Sequence, residues 1–251
     1  MREHRALNAI LEPGGISSVY QPIMEVDGTA RLAGFECLSR GPAGTNFESA
    51  KVMFEYVRLK REEILVDRAC VAVALANAPR QEGLGLTVNV HASTLGRDED
   101  FPDFVCATAD ANGIAHERLT VEIIEHAPPW DSTGFAVALR RLRDRGMCIS
   151  LDDVGLGQSN FKMILDVRPD FLKLDRYFVE SCPGDPNRQA VIECVATLAT
   201  HFGAEVIAEG VDSPEVAETL RRFGVRFMQG YLFAAPMEAE KAKAFVWSGG
   251  G

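Results

Sequence analysis

The chain contains no C-x-x-C pair, and its six cysteines (37, 70, 106, 148, 182 and 194) stand singly. Most lie in apolar strings such as Arg68-Ala69-Cys70-Val71, where cysteine acts as a small hydrophobe. That usage argues against a disulfide framework or a zinc knot, and a reducing cytoplasm is the expected compartment. No apolar leader has the form of a signal peptide, and no apolar run approaches the roughly 18 residues needed to span a bilayer. Low-complexity stretches, charge blocks and long repeats are also missing. Basic charge is short as well, with 26 Lys and Arg against 36 Asp and Glu, a formal −10 at pH 7. Such a chain repels a nucleic-acid polymer or an anionic membrane unless its cations are strongly segregated, so neither is an expected partner.

What is present is an ordinary globular composition: 251 residues, 47% hydrophobic and 25% charged. That fits one large domain with ample chain to bury a core. Short β-like runs alternate with longer helical ones. The expected strands cover 18–23, 34–39, 86–90, 119–123, 148–152, 171–174, 205–208 and 226–228. The expected helices cover 48–60, 62–77, 103–112, 133–145, 160–165, 187–202, 214–223 and 238–247. Several have good punctuation: Arg143-Asp144-Arg145-Gly146 stops one helix, and Ser213-Pro214-Glu215 starts another. Repeated β-then-α units imply parallel strands, and about eight of them in a chain of this length suit a (β/α)₈ barrel. A Rossmann sheet would want G-x-G-x-x-G after its first strand, which is not there. The expected organisation is a leader over 1–17, a barrel over 18–247 and a flexible tail over 248–251.

The placement of polar residues carries more information. Asn89 closes Leu86-Thr87-Val88-Asn89, and Glu122 sits late in Leu119-Thr120-Val121-Glu122-Ile123. Asp152 and Asp153 end the next strand, Lys173 lies in Phe171-Leu172-Lys173-Leu174, and Glu209 follows Val206-Ile207-Ala208. An ionised group in a core strand costs several kcal/mol unless it is paired or holds a metal. Five successive strands repeat that placement at their C-terminal ends, which form the catalytic rim of a parallel barrel. The donors are carboxylates and a carboxamide, with no His or Cys in the pattern. They suit Mg²⁺ or Mn²⁺ acting on a phosphate better than zinc.

At these residues the sequence resembles the EAL-domain family of cyclic di-GMP phosphodiesterases. Tyr20-Gln21-Pro22-Ile23 resembles its YQPI, and Glu36-Cys37-Leu38-Ser39-Arg40 its E-A-L-x-R with Cys for Ala. Asn89 stands for its V-N-x-S, Glu122-Ile123-Ile124-Glu125 for E-x-T-E, and Asp152-Asp153-Val154-Gly155 for D-D-F-G. Lys173-Leu174-Asp175, Ala208-Glu209-Gly210-Val211-Asp212 and Gln229-Gly230-Tyr231-Leu232 resemble K-I-D, A-E-G-V-E and Q-G-Y-L. The motifs run in family order from about 18 to about 237.

The resemblance implies a modified TIM (β/α)₈ barrel with one antiparallel strand. It also implies hydrolysis of one phosphodiester of cyclic di-GMP to linear pGpG with two Mg²⁺ or Mn²⁺ ions. By position, Glu36, Asn89, Glu122 and Asp152 hold the first ion; the shared Asp152, with Asp153 and Glu209, holds the second. Lys173 is a fixed cation beside the reacting water or phosphoryl oxygen. Gln229 orients water, and Gln21, Leu38 and Arg40 help bind the nucleotide, Arg40 through a phosphate. Glu125 anchors the loop after the Asp pair, and strand alternation turns it away from Glu122. Asp175 and Asp212 either support a ligand from behind or cap a helix. His91 and His126 match no family ligand and read as loop or packing residues. A homodimer, and fused sensory or output domains in a longer protein, are further family expectations.

The chain departs from the family at Val154-Gly155-Leu156-Gly157-Gln158-Ser159-Asn160, where the pattern is close to F-G-T-G-Y-S-S. An alternative is therefore a catalytically weak or inactive domain that binds cyclic di-GMP as a receptor. A glycoside hydrolase would also place carboxylate pairs on a barrel, but Asn89, the adjacent Asp pair and Lys173 argue against it.

Overall fold

The computed structural model describes residues 2–124, 133–156 and 161–248. Helix α1 (Arg2–Leu11) comes first, and Ile10 is fully buried among Met53, Val57, Val66 and Cys70. Strands β1 (Ser17–Asp27) and β2 (Thr29–Arg40) form one long antiparallel hairpin. Gly28 turns it at φ +77°, a left-handed conformation that favours glycine. Helices α2 (Ala50–Lys60) and α3 (Glu63–Asn77) lead to β3 (Gly85–His91). Next come α4 (Ala92–Arg97), α5 (Phe101–Ala111), β4 (Leu119–Ile124), α6 (Thr133–Asp144) and β5 (Cys148–Val154). Helix α7 (Phe161–Val167), β6 (Phe171–Leu174), α8 (Arg176–Val179), α9 (Pro186–Phe202) and β7 (Glu205–Ala208) follow. The chain ends through α10 (Pro214–Arg222), β8 (Phe227–Met228), β9 (Met237–Glu238) and α11 (Ala239–Lys243).

Strands β2 to β8 pair in parallel and in sequence order, and β1 closes the barrel with antiparallel pairing to both β2 and β8. The expected barrel with one antiparallel strand is the observed fold. Strand β9 adds to the other half of β1, opposite Val19 and Tyr20. Because helices cover the outside and side chains fill the inside, the central strands are buried on both faces. Leu119, Val121 and Ile123 are fully buried, and so is Glu122 between them. The expected 18–23 and 34–39 strands are the paired ends of a hairpin whose arms continue to Asp27 and Thr29. Asp27-Gly28 is the turn signal for that continuation. The expected helix over 238–247 is shorter, confined to α11.

Two contacts fix the elements that carry the site. Gly34 of β2 lies opposite Gly85 of β3, and a Cβ on Gly34 would stand 2.5 Å from the Gly85 carbonyl oxygen. Asp67 of α3 is buried and accepts three hydrogen bonds. They come from the His91 backbone N–H (3.0 Å), the His91 ring at Nδ1 (2.8 Å) and the Thr94 hydroxyl (2.5 Å). Burial pushes the His91 imidazole down, but the Asp67 carboxylate outweighs it and the net direction is up. The pair pins the turn from β3 into α4, two residues beyond Asn89. Among the described residues, no helix is long and apolar enough to cross a membrane.

Asp67→Ala should lower unfolding stability by about 3–5 kcal/mol, since it strands a buried partner. Thr94→Val, which deletes one hydroxyl from the same cluster, should cost about 1–2 kcal/mol. Urea midpoints of the two variants check that order. Gly34→Ala should cost about 1–3 kcal/mol through backbone overpacking; a melting curve like that of the unmutated protein would refute the close approach.

Candidate metal-dependent active site

The C-terminal ends of the parallel strands bring the expected polar residues to one rim. Lys173 of β6 is buried at its centre, with Nζ 2.6 Å from Glu209, 2.8 Å from Glu122, 3.3 Å from Glu36 and 3.7 Å from Asp152. Asn89 donates from Nδ2 to Glu36 Oε1 at 3.1 Å. Gln229, just past β8, donates from Nε2 to Glu36 Oε2 at 2.7 Å and to Gln21 Oε1 at 2.9 Å. Gln21 donates onward to the Ala234 carbonyl at 3.1 Å. The antiparallel β1 places Gln21 opposite Glu36 in the strand register, so the hairpin itself sets that contact.

Asp152 and Asp153 are neighbours in sequence, and a regular strand would send them to opposite faces. The pairing of β5 with β6 steps from Leu151 opposite Leu172 to Val154 opposite Leu174. Both aspartates therefore oppose the single residue Lys173, as in a β-bulge. Asp153 adopts φ +51° there, and its N–H donates to Asp152 Oδ1 at 2.8 Å. Left-handed backbone at a non-glycine residue costs of order 1–3 kcal/mol, which the surrounding packing must hold. Both carboxylates line the same cavity as a result.

Burial sets the electrostatics, and the fixed charges then divide the carboxyls. Glu122 is pushed well up by burial and by Glu36, Asp152 and Glu209, against the opposing pull of Lys173. Burial also pushes Glu36 up, but the Lys173 ammonium and the hydrogen bonds from Gln229 and Asn89 outweigh it, and the net direction is down. Glu209 is raised to about 7 by burial and by Asp152 and Glu36. Asp153 is raised to about 6 by burial, Asp152 and Asp175. Lys173 loses water, which lowers it, yet four carboxylates hold it well above an ordinary lysine.

Two cavities with shared lining residues open over this centre. One, of about 400 Å³, is lined by Gln21, Asp212, Arg176, Tyr231 and Glu209 among others. The second, of about 690 Å³, lies toward α2, Asn89, Asp153 and Asp175. Glu36, Leu38 and Asp152 line both. Asp175 caps α8 by accepting from the Tyr177 N–H at 2.7 Å, and it also faces Asp153. The cap of α10 is Ser213, which leaves Asp212 exposed at the mouth of the first cavity. Arg40 lines neither cavity; its Nη1 donates to the carbonyl of Ser39 at 2.8 Å. Glu125 and His126 lie outside the described residues, as do 157–160 of the altered loop. Tyr231, quoted only as part of a motif, and Arg176 are cavity residues that sequence reasoning did not assign a role. Their signal is weak, because each follows a strand end by only two or three positions.

As the side chains stand, no three Asp, Glu, His or Cys groups among the described residues converge on one point with a metal's spacing. They meet instead on the Lys173 ammonium. The donors still fit a hard divalent cation: all are oxygens, and Glu122 Oε2 is buried without a hydrogen-bond partner among the described residues. The expected ligands Glu36, Asn89, Glu122, Asp152 and Glu209 are joined directly or through Lys173, and Asp153 adjoins Asp152.

The chain is 28% identical over 251 residues to the oxygen sensor protein DosP of Escherichia coli, covering 97% of this chain and 31% of DosP. It is 32% identical over 241 residues to the cyclic di-GMP phosphodiesterase PA2567 of Pseudomonas aeruginosa, covering 92% of this chain and 40% of that protein. The chain thus spans less than half the length of these curated relatives. BlrP1 of Klebsiella pneumoniae, solved as a manganese/cy-diGMP complex at pH 9.0, matches with a TM-score of 0.79 at 26% identity. That match covers 91% of this chain and 57% of the BlrP1 chain. The family model described as the EAL domain matches residues 4–236, and the chain belongs to that family.

Proposed function

We propose that this chain is a divalent-metal-dependent phosphodiesterase that opens cyclic di-GMP to linear pGpG. The observation that carries the reading is the charge imbalance on the rim. Glu36, Glu122, Asp152, Asp153 and Glu209 face one ammonium, leaving a formal −4 that two divalent cations would balance. Glu36, Asn89, Glu122 and Asp152 would hold one ion, and Asp152, Asp153 and Glu209 the other. When bound, such ions lower the pKa of water and offset charge on the attacking and leaving oxygens.

The chain's own residues do the rest. Water's oxygen joins phosphorus, the P–O3′ bond breaks, and the 3′ oxygen leaves with a proton, which yields a 5′-phosphate end. Lys173 is fixed by its carboxylate partners and supplies preorganised positive charge for a phosphoryl oxygen. Gln229 is held through Nε2 by Glu36 and Gln21, and its buried Oε1 has no partner among the described residues. That oxygen can accept a hydrogen bond from the reacting water. Leu38 sits between the cavities and gives the nucleotide an apolar surface to lie across. Dimer formation, cytoplasmic residence and fused sensory or output modules belong to the same reading.

A receptor that binds the nucleotide without cleaving it is the second reading. The departures at Val154 and Leu156, beside the strained Asp153, favour it.

Chromatography of cyclic di-GMP incubated with the purified protein separates the two. The phosphodiesterase forms pGpG in Mg²⁺ or Mn²⁺, stops on chelation and recovers when metal is returned. Saturable binding with no pGpG in either metal would establish the receptor and refute the enzyme. Glu36→Ala should abolish product and weaken Mn²⁺ binding in a calorimetric titration. Lys173→Met should lower kcat about 10²–10³-fold while leaving Mn²⁺ affinity undiminished, because it removes a transition-state charge and a competitor for the carboxylates. A Lys173→Met variant with ordinary kcat contradicts the assigned role.

A further inference from the structure

Two buried side-chain oxygens without a hydrogen-bond partner among the described residues are neighbours inside the barrel: Glu122 Oε2 and Ser150 Oγ. Both residues are fully buried, and Glu122 of β4 lies opposite Ser150 of β5 in the parallel register. Such partners point to the same face of the sheet, on strands about 4.8 Å apart. Glu122 faces the interior, because its other oxygen meets Lys173 at 2.8 Å. Ser150 faces the interior beside it, two residues before Asp152, which also turns toward Lys173. Glu122 is thus flanked by Asn89 on β3 and by Ser150 on β5.

The same alternation turns Thr120 and Thr87 inward one layer lower, where they lie opposite each other and are buried. Hydroxyls therefore line the interior beneath the carboxylates, a layer that barrels of this kind mostly fill with branched apolar side chains. A buried hydroxyl left idle opposes folding, so Ser150 needs a partner. A buried water provides one where several polar groups surround it, and Glu122 Oε2, Ser150, Thr120 and Thr87 are such a set. A carboxylate oxygen has more than one lone-pair site, so Oε2 can face a cation from the cavity and accept a hydrogen bond from below.

Resting on the divalent-metal reading above, we propose that Ser150 is a positioning residue for Glu122, acting through one buried water. The water donates to Glu122 Oε2 and accepts from the Ser150 hydroxyl, and the threonine hydroxyls complete its surroundings. Lys173 then ties one oxygen of the carboxylate and the water ties the other, which fixes its plane before a cation arrives. A ligand already oriented in this way binds metal more tightly, because less of it must be ordered on binding.

The test is calorimetric titration of the full chain with Mn²⁺, alongside urea unfolding of the chelated protein. Ser150→Ala should raise the Mn²⁺ Kd about tenfold or more. Ser150→Thr keeps a hydroxyl at the same place and should bind Mn²⁺ as the unmutated protein does. The urea midpoint gives an independent sign: deleting a hydroxyl that serves Glu122 lowers it, whereas deleting an idle one raises it. A raised midpoint, or a threonine variant as weak as alanine in a protein that still melts normally, overturns the proposal. If the unmutated protein binds Mn²⁺ and makes pGpG but Ser150→Ala leaves the Kd unchanged, the positioning role is wrong while the function stands. If the unmutated protein binds no Mn²⁺, both fail together.

Discussion

The rim of this barrel depends on one buried ammonium. Among the described residues, Lys173 is the only positive charge inside a ring of four carboxylates, and it lies at the point where their repulsion would otherwise be greatest. Bringing several carboxylates out of water costs several kcal/mol each before their mutual repulsion is counted. One cation cannot neutralise them, and the burden shows in the raised carboxyls of Glu122, Glu209 and Asp153. Glu36 is held low instead, because it has amide donors from Asn89 and Gln229 as well as the lysine. The centre is consequently electrostatically incomplete, a poor arrangement for stability and a good one for binding cations.

Such a centre persists only if the backbone beneath it cannot relax. The barrel supplies that rigidity through strands whose apolar residues are buried on both faces, with Leu119, Val121, Ile123, Ile149 and Leu151 among them. The antiparallel β1 adds something an all-parallel barrel lacks, because its pairing with β2 sets Gln21 beside Glu36 at the same height. The bulge in β5 adds the rest. Without the extra residue opposite Lys173, one of Asp152 and Asp153 would turn toward the helices. The strain at Asp153 thus buys a second carboxylate for the same cavity.

The parts legible in the sequence were those with an energetic penalty attached. A carboxylate in Leu-Thr-Val-Glu-Ile, or a lysine in Phe-Leu-Lys-Leu, is costly enough to require a partner, and five such strand ends identify a rim. The parallel alternation was equally plain. The hairpin arms beyond residue 23 were not, because Met24-Glu25-Val26 and Ala30-Arg31-Leu32 mix charge into a strand pattern that only cross-strand pairing stabilises. Nor was the β5 bulge, since the pattern Asp-Asp says nothing of register. Helix α1 is short and polar, and its assignment depends on Ile10 meeting α2 and α3. Arg40 shows the limit of motif reasoning: its position in the chain is right for the cavity, but its guanidinium turns back to the Ser39 carbonyl.

The net charge of −10 acquires a spatial meaning from this arrangement. A cluster of it lies under the two cavities, whereas the cations lining them, Lys51 and Arg58 on one side and Arg176 on the other, stand at the margins. Arg176 is partly committed to Glu180, so the less encumbered cations are those of α2. In the proposed reaction the substrate carries two phosphates and would meet a repulsive floor before an attractive wall. Divalent cations held by those acids would lower the charge of the floor, so that the scissile phosphate could settle there.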